Sequence, residues 1–316
     1  MLFFWIMLGV LAFTIVLVLL TSYICFYIAF YVPDKKRLKE GEFSLPFGDD
    51  YAPYEKQMRD WVKELSTIPH EDFYIKSFDG LTVHAKYYEF NKGAPKEIMF
   101  HGYRGNATRD LCGGVQRCFK LGYNALIVDQ RASGRSEGKV ITFGIKESKD
   151  CLSWVNFAVE KFGTDAKLLM TGISMGATTV MIASSYELPK NVVGVIADCG
   201  FTSAKDIIIK CVKGMKLSPK IFYPFIKLGA RIYGKFNLEE ISPKQALRTA
   251  KVPVMFFHGE TDGFVPATMS KENYEVCVAP KKLVIIQNTG HGMAYLTEPE
   301  TYLRELKEFE KTLGIN

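Results

Sequence analysis

Hydrophobic residues divide the chain into an uncharged N-terminal run and a long region of mixed polarity. No charged residue occurs from Leu2 to Val32, a length well beyond the roughly 20 apolar residues that cross a bilayer as a helix. The pattern predicts a single-pass transmembrane anchor over residues 1–33. A cleaved signal peptide is the alternative, but such a peptide has a basic start, a short apolar core and a small-x-small cleavage site, which the run lacks.

The segment that follows the anchor, residues 34–70, is predicted to be a juxtamembrane linker with an amphipathic helix. Between Asp49 and Leu65, apolar side chains recur at helical spacing, as at Met58 and Trp61. Such spacing is typical of a helix that packs one face on a domain. We therefore expect this helix to connect the anchor to the rest of the protein.

Residues 71–316 show the alternation of strand-like and helical runs that a mostly parallel sheet with flanking helices requires. Strands at about Phe73–Ser77 and Leu81–Tyr88 form an antiparallel lead-in, and Thr301–Leu313 closes the domain as a helix. No internal repeat or low-complexity linker indicates a second domain. The predicted fold class is therefore α/β, with one soluble domain.

A Gly-x-Ser-x-Gly segment, Gly172–Gly176, lies between a β-rich run, Lys167–Thr171, and a helical run, Ala177–Ser184. When a strand, a sharp turn and a helix follow in this order, the serine in the turn projects its hydroxyl away from the backbone, free of neighbouring side chains. Glycines on either side let the strand and the helix approach closely. A serine hydroxyl is a weak nucleophile and needs a base and a group that orients the base. Ser174 is the candidate nucleophile.

Two strand ends further along the chain supply the base and the acid. His291 lies in a Gly-His-Gly turn after the strand-like run Lys282–Ile286, and we predict that it is the general base. Asp262 lies in a turn after the run Val252–Gly259 and is predicted to orient the imidazole of His291. Asp198 ends another strand and is the alternative acid.

The segment His101–Gly105 follows the strand-like run Glu97–Phe100. Backbone N–H groups in such a position can stabilise the oxyanion of a tetrahedral intermediate. We expect the backbone amides of Tyr103 and Met175 to form this oxyanion hole.

These motifs, in the order Ser, Asp, His, resemble the α/β-hydrolase superfamily, and within it the membrane-anchored BEM46-like or ABHD13-like hydrolases and the serine aminopeptidase-like group. The resemblance runs from about Asp72 to the C-terminus. It includes Asp129–Ser136, similar to the family's Asp-x-Arg-Gly-x-Gly-x-Ser turn, although Ala132 replaces the usual glycine. The resemblance implies the α/β-hydrolase fold with a small helical cap at about residues 201–250.

The composition of the cap indicates an apolar substrate. It is rich in apolar residues, and Pro219 and Pro224 are expected to break it into short helices. An apolar roof over an exposed serine favours an acyl chain or an aromatic group. We predict a membrane-anchored carboxylic-ester hydrolase that acts on a lipid-like or other acyl substrate through an acyl-enzyme. The alternatives are a serine aminopeptidase-like peptidase, with Glu239 or Glu240 near the substrate amine, and a non-catalytic membrane scaffold.

Charge and motif spacing bear on the ligands of the protein and on the side of the membrane where the domain lies. The net charge of +6 comes from scattered lysines, so nucleic-acid binding is not indicated. No residues have the spacing of a metal site, and we predict neither a metal nor a cofactor. Lys35, Lys36, Arg37 and Lys39 follow the anchor, and the positive-inside bias predicts that the catalytic domain is cytoplasmic.

Overall fold

The computed structural model describes residues 1–37, 42–46 and 49–315. Lys39 and part of the predicted linker at 34–70 lie outside the described residues. The α-helices are α1 Leu2–Ala29, α2 Glu55–Thr67, α3 Ala107–Leu121, α4 Ile145–Phe162, α5 Met175–Ala183, α6 Ala204–Gly214, α7 Pro219–Ile232, α8 Pro243–Ala246, α9 Ala267–Val276, α10 Ala294–Thr297 and α11 Pro299–Thr312. Short 3₁₀ turns occur at Asp34–Lys36, Asp49–Tyr54 and Leu247–Thr249.

Eight strands form one sheet in the order β1-β2-β4-β3-β5-β6-β7-β8. Their bounds are β1 Glu71–Lys76, β2 Thr82–Tyr88, β3 Lys96–Phe100, β4 Asn124–Asp129, β5 Leu168–Ile173, β6 Val192–Asp198, β7 Val254–Gly259 and β8 Lys281–Ile286. The first two strands pair antiparallel, β2 is also antiparallel to β4, and all other pairs are parallel. The predicted α/β-hydrolase fold is confirmed, and the lead-in hairpin forms as expected.

Successive residues along each central strand point to opposite faces of the sheet, and each face carries its own apolar core. On β3, Ile98 and Phe100 join the cluster that contains Trp154 of α4, whereas Met99 joins the cluster that contains Tyr302 of α11. Because both faces are covered, the central strands β3 to β7 are buried along almost their whole length and are mostly apolar. Polar side chains can then reach solvent at the ends of these strands.

The predicted amphipathic segment from Asp49 to Leu65 begins as the 3₁₀ turn at Asp49–Tyr54 and continues as α2. Met58 and Leu65 are buried, and α2 lies against α3. Its apolar face therefore packs on the α/β domain, as the spacing indicated.

The cap between β6 and β7 consists of α6, α7 and α8. Pro219 is the first residue of α7, a position where its missing N–H costs nothing. The expectation that Pro224 also breaks the cap is wrong, because α7 continues through it to Ile232. The carbonyl that Pro224 leaves without a helical donor belongs to Lys220, which lies in the exposed first turn where water can bind it.

Among the described residues, α1 alone is long and apolar enough to cross a membrane. Its C-terminal third is not free, because it packs on α7 of the cap. A Cβ on Gly229 would overlap the Ser22 carbonyl and lie 3.0 Å from Phe26 Cβ. Past the helix, the Val32 amide donates to the Lys139 carbonyl over 2.9 Å. The helix and the cap thus share one packed interface.

Gly229→Ala tests this interface. The added methyl meets backbone of α1 that cannot move aside, so we expect the free energy of unfolding to fall by about 1–3 kcal/mol. Gly214→Ala, at the end of α6, is the matched control, since a Cβ there meets nothing within 4 Å. Thermal denaturation in detergent measures both variants. Equal midpoints for the two would contradict close packing of α7 on α1.

Candidate active site

Ser174 lies in the turn between β5 and α5, with a φ of 56° in the left-handed region. A side chain on Gly172 would overlap the backbone of Gly176, and one on Gly176 would overlap the carbonyl of Phe100. The two glycines therefore allow β3, β5 and α5 to meet through their backbones. This contact fixes the serine at the carboxyl edge of the sheet.

The structure brings Ser174, His291 and Asp262 together in one hydrogen-bonded chain. His291 Nε2 lies 2.9 Å from Ser174 Oγ, and His291 Nδ1 lies 2.6 Å from Asp262 Oδ2. These contacts fit a neutral imidazole that donates from Nδ1 and accepts the serine proton at Nε2. Asp262 rather than the alternative, Asp198, is placed against the imidazole.

Asp262 is held ionised by its surroundings. Burial raises its pKa, but hydrogen bonds from His258 and His291 and the backbone amide of Val265 outweigh that cost and lower the pKa to about 2. Its Oδ1 accepts from the amides of Phe264 and Val265 over 2.8 and 2.7 Å. A carboxylate with this many donors remains charged and fixed in position at neutral pH.

His258 is a second histidine beside Asp262, and the sequence analysis did not select it. Its Nε2 lies 3.1 Å from Asp262 Oδ2 and 2.8 Å from the Val265 carbonyl, while its Nδ1 lies 2.6 Å from Ser270 Oγ. Two imidazoles thus share one carboxylate oxygen. The signal in the sequence is the four-residue separation of His258 and Asp262 after a buried strand, which places both side chains at one strand end.

Asp198 differs from Asp262 in its surroundings. Burial raises its pKa to about 6, and its Oδ1 has no hydrogen-bond partner among the described residues. A carboxyl without donors is costly to ionise inside a protein. Asp198 is therefore poorly suited to stabilise an imidazolium.

The two predicted oxyanion donors lie on either side of the serine. Met175 is the first residue of α5, so its N–H has no acceptor within the helix. Tyr103 lies in the turn after β3, and a Cβ on the neighbouring Gly102 would be 3.7 Å from Ser174 Cβ. The side chain of Tyr103 bonds elsewhere, because its hydroxyl donates to the Ala29 carbonyl over 2.8 Å. The oxyanion hole itself stays a prediction.

The serine is less accessible than the sequence indicated. Ser174 is 8% exposed, so the expectation of an exposed serine is wrong. Two side chains that the sequence analysis did not select pack on the turn of His291. The Tyr51 hydroxyl donates to the His291 carbonyl over 2.6 Å, and the Phe264 ring lies 5.1 Å from the imidazole. Tyr51 belongs to the segment before the domain, which the motifs do not cover.

Cys199, Asp262 and His291 are the one group in the described part of the chain whose ligand atoms cluster as a metal would need, within 4.8 Å of one another. Asp262 and His291 already bond to each other. Burial raises the pKa of the Cys199 thiol well above its usual value, whereas metals bind thiolates. The group is therefore a poor metal site, and the absence of a metal and a cofactor stays a prediction.

Comparison with known proteins identifies the family. Residues 31–223 match the family model described as X-Pro dipeptidyl-peptidase (S15 family). The chain belongs to this family. It lies within the α/β-hydrolase superfamily of serine hydrolases, in agreement with the predicted BEM46-like resemblance.

Two relatives agree with this family assignment. The uncharacterised protein YqkD of Bacillus subtilis is 28% identical over 213 residues, which cover 67% of this chain and 70% of YqkD. Protein bem46 of Schizosaccharomyces pombe is 28% identical over 198 residues, covering 61% of this chain and 60% of bem46.

Two solved esterases share the fold. An esterase of Pyrococcus furiosus superimposes with a TM-score of 0.63 at 23% identity, covering 79% of this chain and 93% of the esterase. Est1E of Butyrivibrio proteoclasticus, solved with ferulic acid, gives 0.61 at 21% identity, covering 77% and 100%.

The raised pKa of Asp198 predicts a pH-dependent effect of Asp198→Asn. A carboxyl whose pKa is raised on folding holds its proton more tightly in the folded state, so stability falls as the pH rises from the unfolded to the folded pKa, and the full loss is present above the folded pKa. Between the ordinary value of 3.8 and about 6, the shift corresponds to about 3 kcal/mol. We expect Asp198→Asn to be more stable than the wild type at about pH 8 and similar below about pH 4.

Urea unfolding at the two pH values, followed by circular dichroism, measures this difference. A gain in stability that is the same at both pH values would contradict the assignment of a buried, titrating carboxyl.

Proposed function

We propose that this protein is a membrane-anchored carboxylic-ester hydrolase in which Ser174, His291 and Asp262 form a catalytic triad. The observation that carries the proposal is the unbroken chain of hydrogen bonds, 2.9 Å from serine to imidazole and 2.6 Å from imidazole to carboxylate. This is the arrangement in which a serine hydroxyl can lose its proton as it attacks a carbonyl.

The proposed reaction proceeds through an acyl-enzyme. Ser174 Oγ attacks the ester carbonyl while His291 Nε2 accepts the serine proton, and the backbone amides of Tyr103 and Met175 stabilise the oxyanion. His291 then donates the proton to the departing alcohol oxygen. Water then attacks the acyl carbon and loses a proton to the same Nε2. The second tetrahedral intermediate breaks its bond to Ser174 Oγ, which takes the proton back from His291, and the acid is released. Asp262 stabilises each imidazolium.

The surroundings of the nucleophile support an acyl or lipid-like substrate. Met175, directly after the serine, belongs to an apolar cluster with Phe143 of the loop before α4, Phe201 and Ile207 of the cap, and Phe30 after α1. An apolar chain can replace such contacts at small cost, whereas a charged group would lose its hydration. The two esterases that share the fold agree with an ester substrate.

Membrane anchoring is part of the proposal. Most of α1 is apolar and exposed, which a bilayer would cover. The basic residues Lys35 and Lys36 follow α1 and are exposed. We propose a single pass with the catalytic domain on the cytoplasmic side.

A peptidase is the second candidate, because the family description names a dipeptidyl-peptidase. The carboxylates suggested for binding a substrate amine are already paired on the cap. Glu239 accepts from Tyr223 and forms an ion pair with Lys227, and Glu240 lies 2.9 Å from Lys149. These pairs favour the esterase. A non-catalytic scaffold has no need of an ordered triad, so the same hydrogen bonds disfavour it.

Hydrolysis of a p-nitrophenyl ester series from acetate to palmitate by the detergent-solubilised protein tests the reaction class. We expect the wild type to turn over these esters and Ser174→Ala to lose activity by up to about 10⁶-fold, since it removes the nucleophile. Aminoacyl arylamides are assayed in parallel, and faster cleavage of amides would favour the peptidase. Equal rates for wild type and Ser174→Ala would reject the assignment.

Asp262→Asn separates the two candidate acids. An amide leaves the geometry intact but favours the wrong imidazole tautomer, and we expect kcat to fall by about 10⁴. Asp198→Asn is the matched control, because it changes a nearby buried carboxyl that does not orient the imidazole, and it should retain most of the activity. A large loss in Asp198→Asn with a small loss in Asp262→Asn would exchange their roles.

A further inference from the structure

The first helix has two parts with different surroundings. From Leu2 to Leu20 no side chain is buried, and this part is about 28 Å long at 1.5 Å per residue. That length matches the roughly 30 Å hydrocarbon core of a bilayer. From Ser22 onward every fourth side chain is buried against the domain, as at Phe26 and Phe30. The hydrocarbon boundary therefore lies close to Leu20.

The second part of α1 is bonded to the catalytic domain from more than one direction. The Tyr103 hydroxyl donates to the Ala29 carbonyl over 2.8 Å, and the Arg104 guanidinium donates to the Ile28 carbonyl over 2.8 Å. These donors come from the loop after β3, whereas α7 packs on α1 from the cap. Contacts from two elements prevent the helix from pivoting. The orientation of the domain relative to α1 is thus fixed.

The C-terminal end of α7 meets α1 at the boundary. The Tyr233 hydroxyl donates to the Leu19 carbonyl over 3.1 Å, and its ring lies 5.2 Å from that of Tyr23. Tyrosine is enriched at the level of the lipid headgroups, where its ring is half in apolar surroundings and its hydroxyl finds a partner. Side chains next to Tyr233 must then lie at the membrane surface.

Three exposed side chains flank Tyr233: Arg231, Ile232 and Lys235. Ile232 is 42% exposed, and in the sequence it lies between two cations. Neither Arg231 nor Lys235 has a carboxylate partner within the described ranges. Charged side chains are costly in hydrocarbon, so Arg231 and Lys235 limit how deeply the end of α7 can insert into the bilayer. Ile232, in contrast, is stabilised by contact with lipid, because its exposed apolar area is then removed from water.

We propose that this α7 surface, formed by Arg231, Ile232 and Lys235, rests on the anionic phospholipid headgroups of the membrane that α1 crosses. The inference depends on the proposed membrane anchor. Anionic phosphates are the partners that an unpaired arginine and lysine at a membrane surface attract. The cap is then held against the bilayer by two contacts, through α1 and through the end of α7.

Quenching of tryptophan by brominated lipids tests the contact on the full chain in vesicles. The parent variant carries Trp5→Phe, and Ile232→Trp is added to it. As the matched control, Val278→Trp places tryptophan at an exposed apolar position before β8. This position lies at the amino ends of the parallel strands, whereas α7 lies in the connection that leaves the carboxyl end of β6. Vesicles contain phosphatidylcholine alone or with phosphatidylglycerol, and melting curves check that each variant is folded.

We expect brominated lipid to quench Ile232→Trp but not Val278→Trp, after subtraction of the parent emission. Phosphatidylglycerol should increase the quenching, and Arg231→Glu with Lys235→Glu should remove the increase. Absence of quenching at position 232, with Trp5 of the wild type quenched, would overturn the contact and leave the anchor intact. Quenching independent of phosphatidylglycerol would overturn the headgroup assignment. Loss of Trp5 quenching would instead reject the anchor itself.

Discussion

The close approach of three backbones at the turn between β5 and α5 is the constraint on which the rest of this structure depends. Gly176 lies against the carbonyl of Phe100, so the strand that carries the predicted oxyanion loop and the helix that follows the nucleophile are in direct contact. A side chain at either glycine of the turn would separate them. Ser174 and both proposed oxyanion donors take their positions from this contact.

The sheet then assembles the site from distant parts of the chain. Ile173 pairs with Asp198, and Asp198 pairs with Phe257, so the ends of neighbouring parallel strands lie at one edge. Two carboxylates at this edge have opposite properties. Asp262 is surrounded by donors and stays ionised, whereas Asp198 is buried without them and its pKa rises. Local hydrogen bonding rather than position along the edge distinguishes the acid that serves the imidazole.

The strand-end motifs could be predicted from the sequence because each follows an apolar run that can be recognised locally. Ser174, Asp262 and His291 are predicted in this way, whereas the cap is implied by the family resemblance. Tyr51 could not be, since its contact with His291 joins residues 240 positions apart. Ala132 adopts a φ of 62°, so the turn keeps its left-handed conformation without the usual glycine.

The docking of α1 could not be predicted either, because the helix is apolar on all sides and no face stands out. The surface on which α1 packs, helix α7 of the cap, exists only in the folded protein. Phe26, Phe30 and Val32 are buried in the same cluster as Met175. The helix that we propose as the membrane anchor is therefore also a part of the apolar core beside Ser174. Proteolytic cleavage at the end of the helix would not release an active soluble domain, because removal of α1 would expose apolar surface next to the active site.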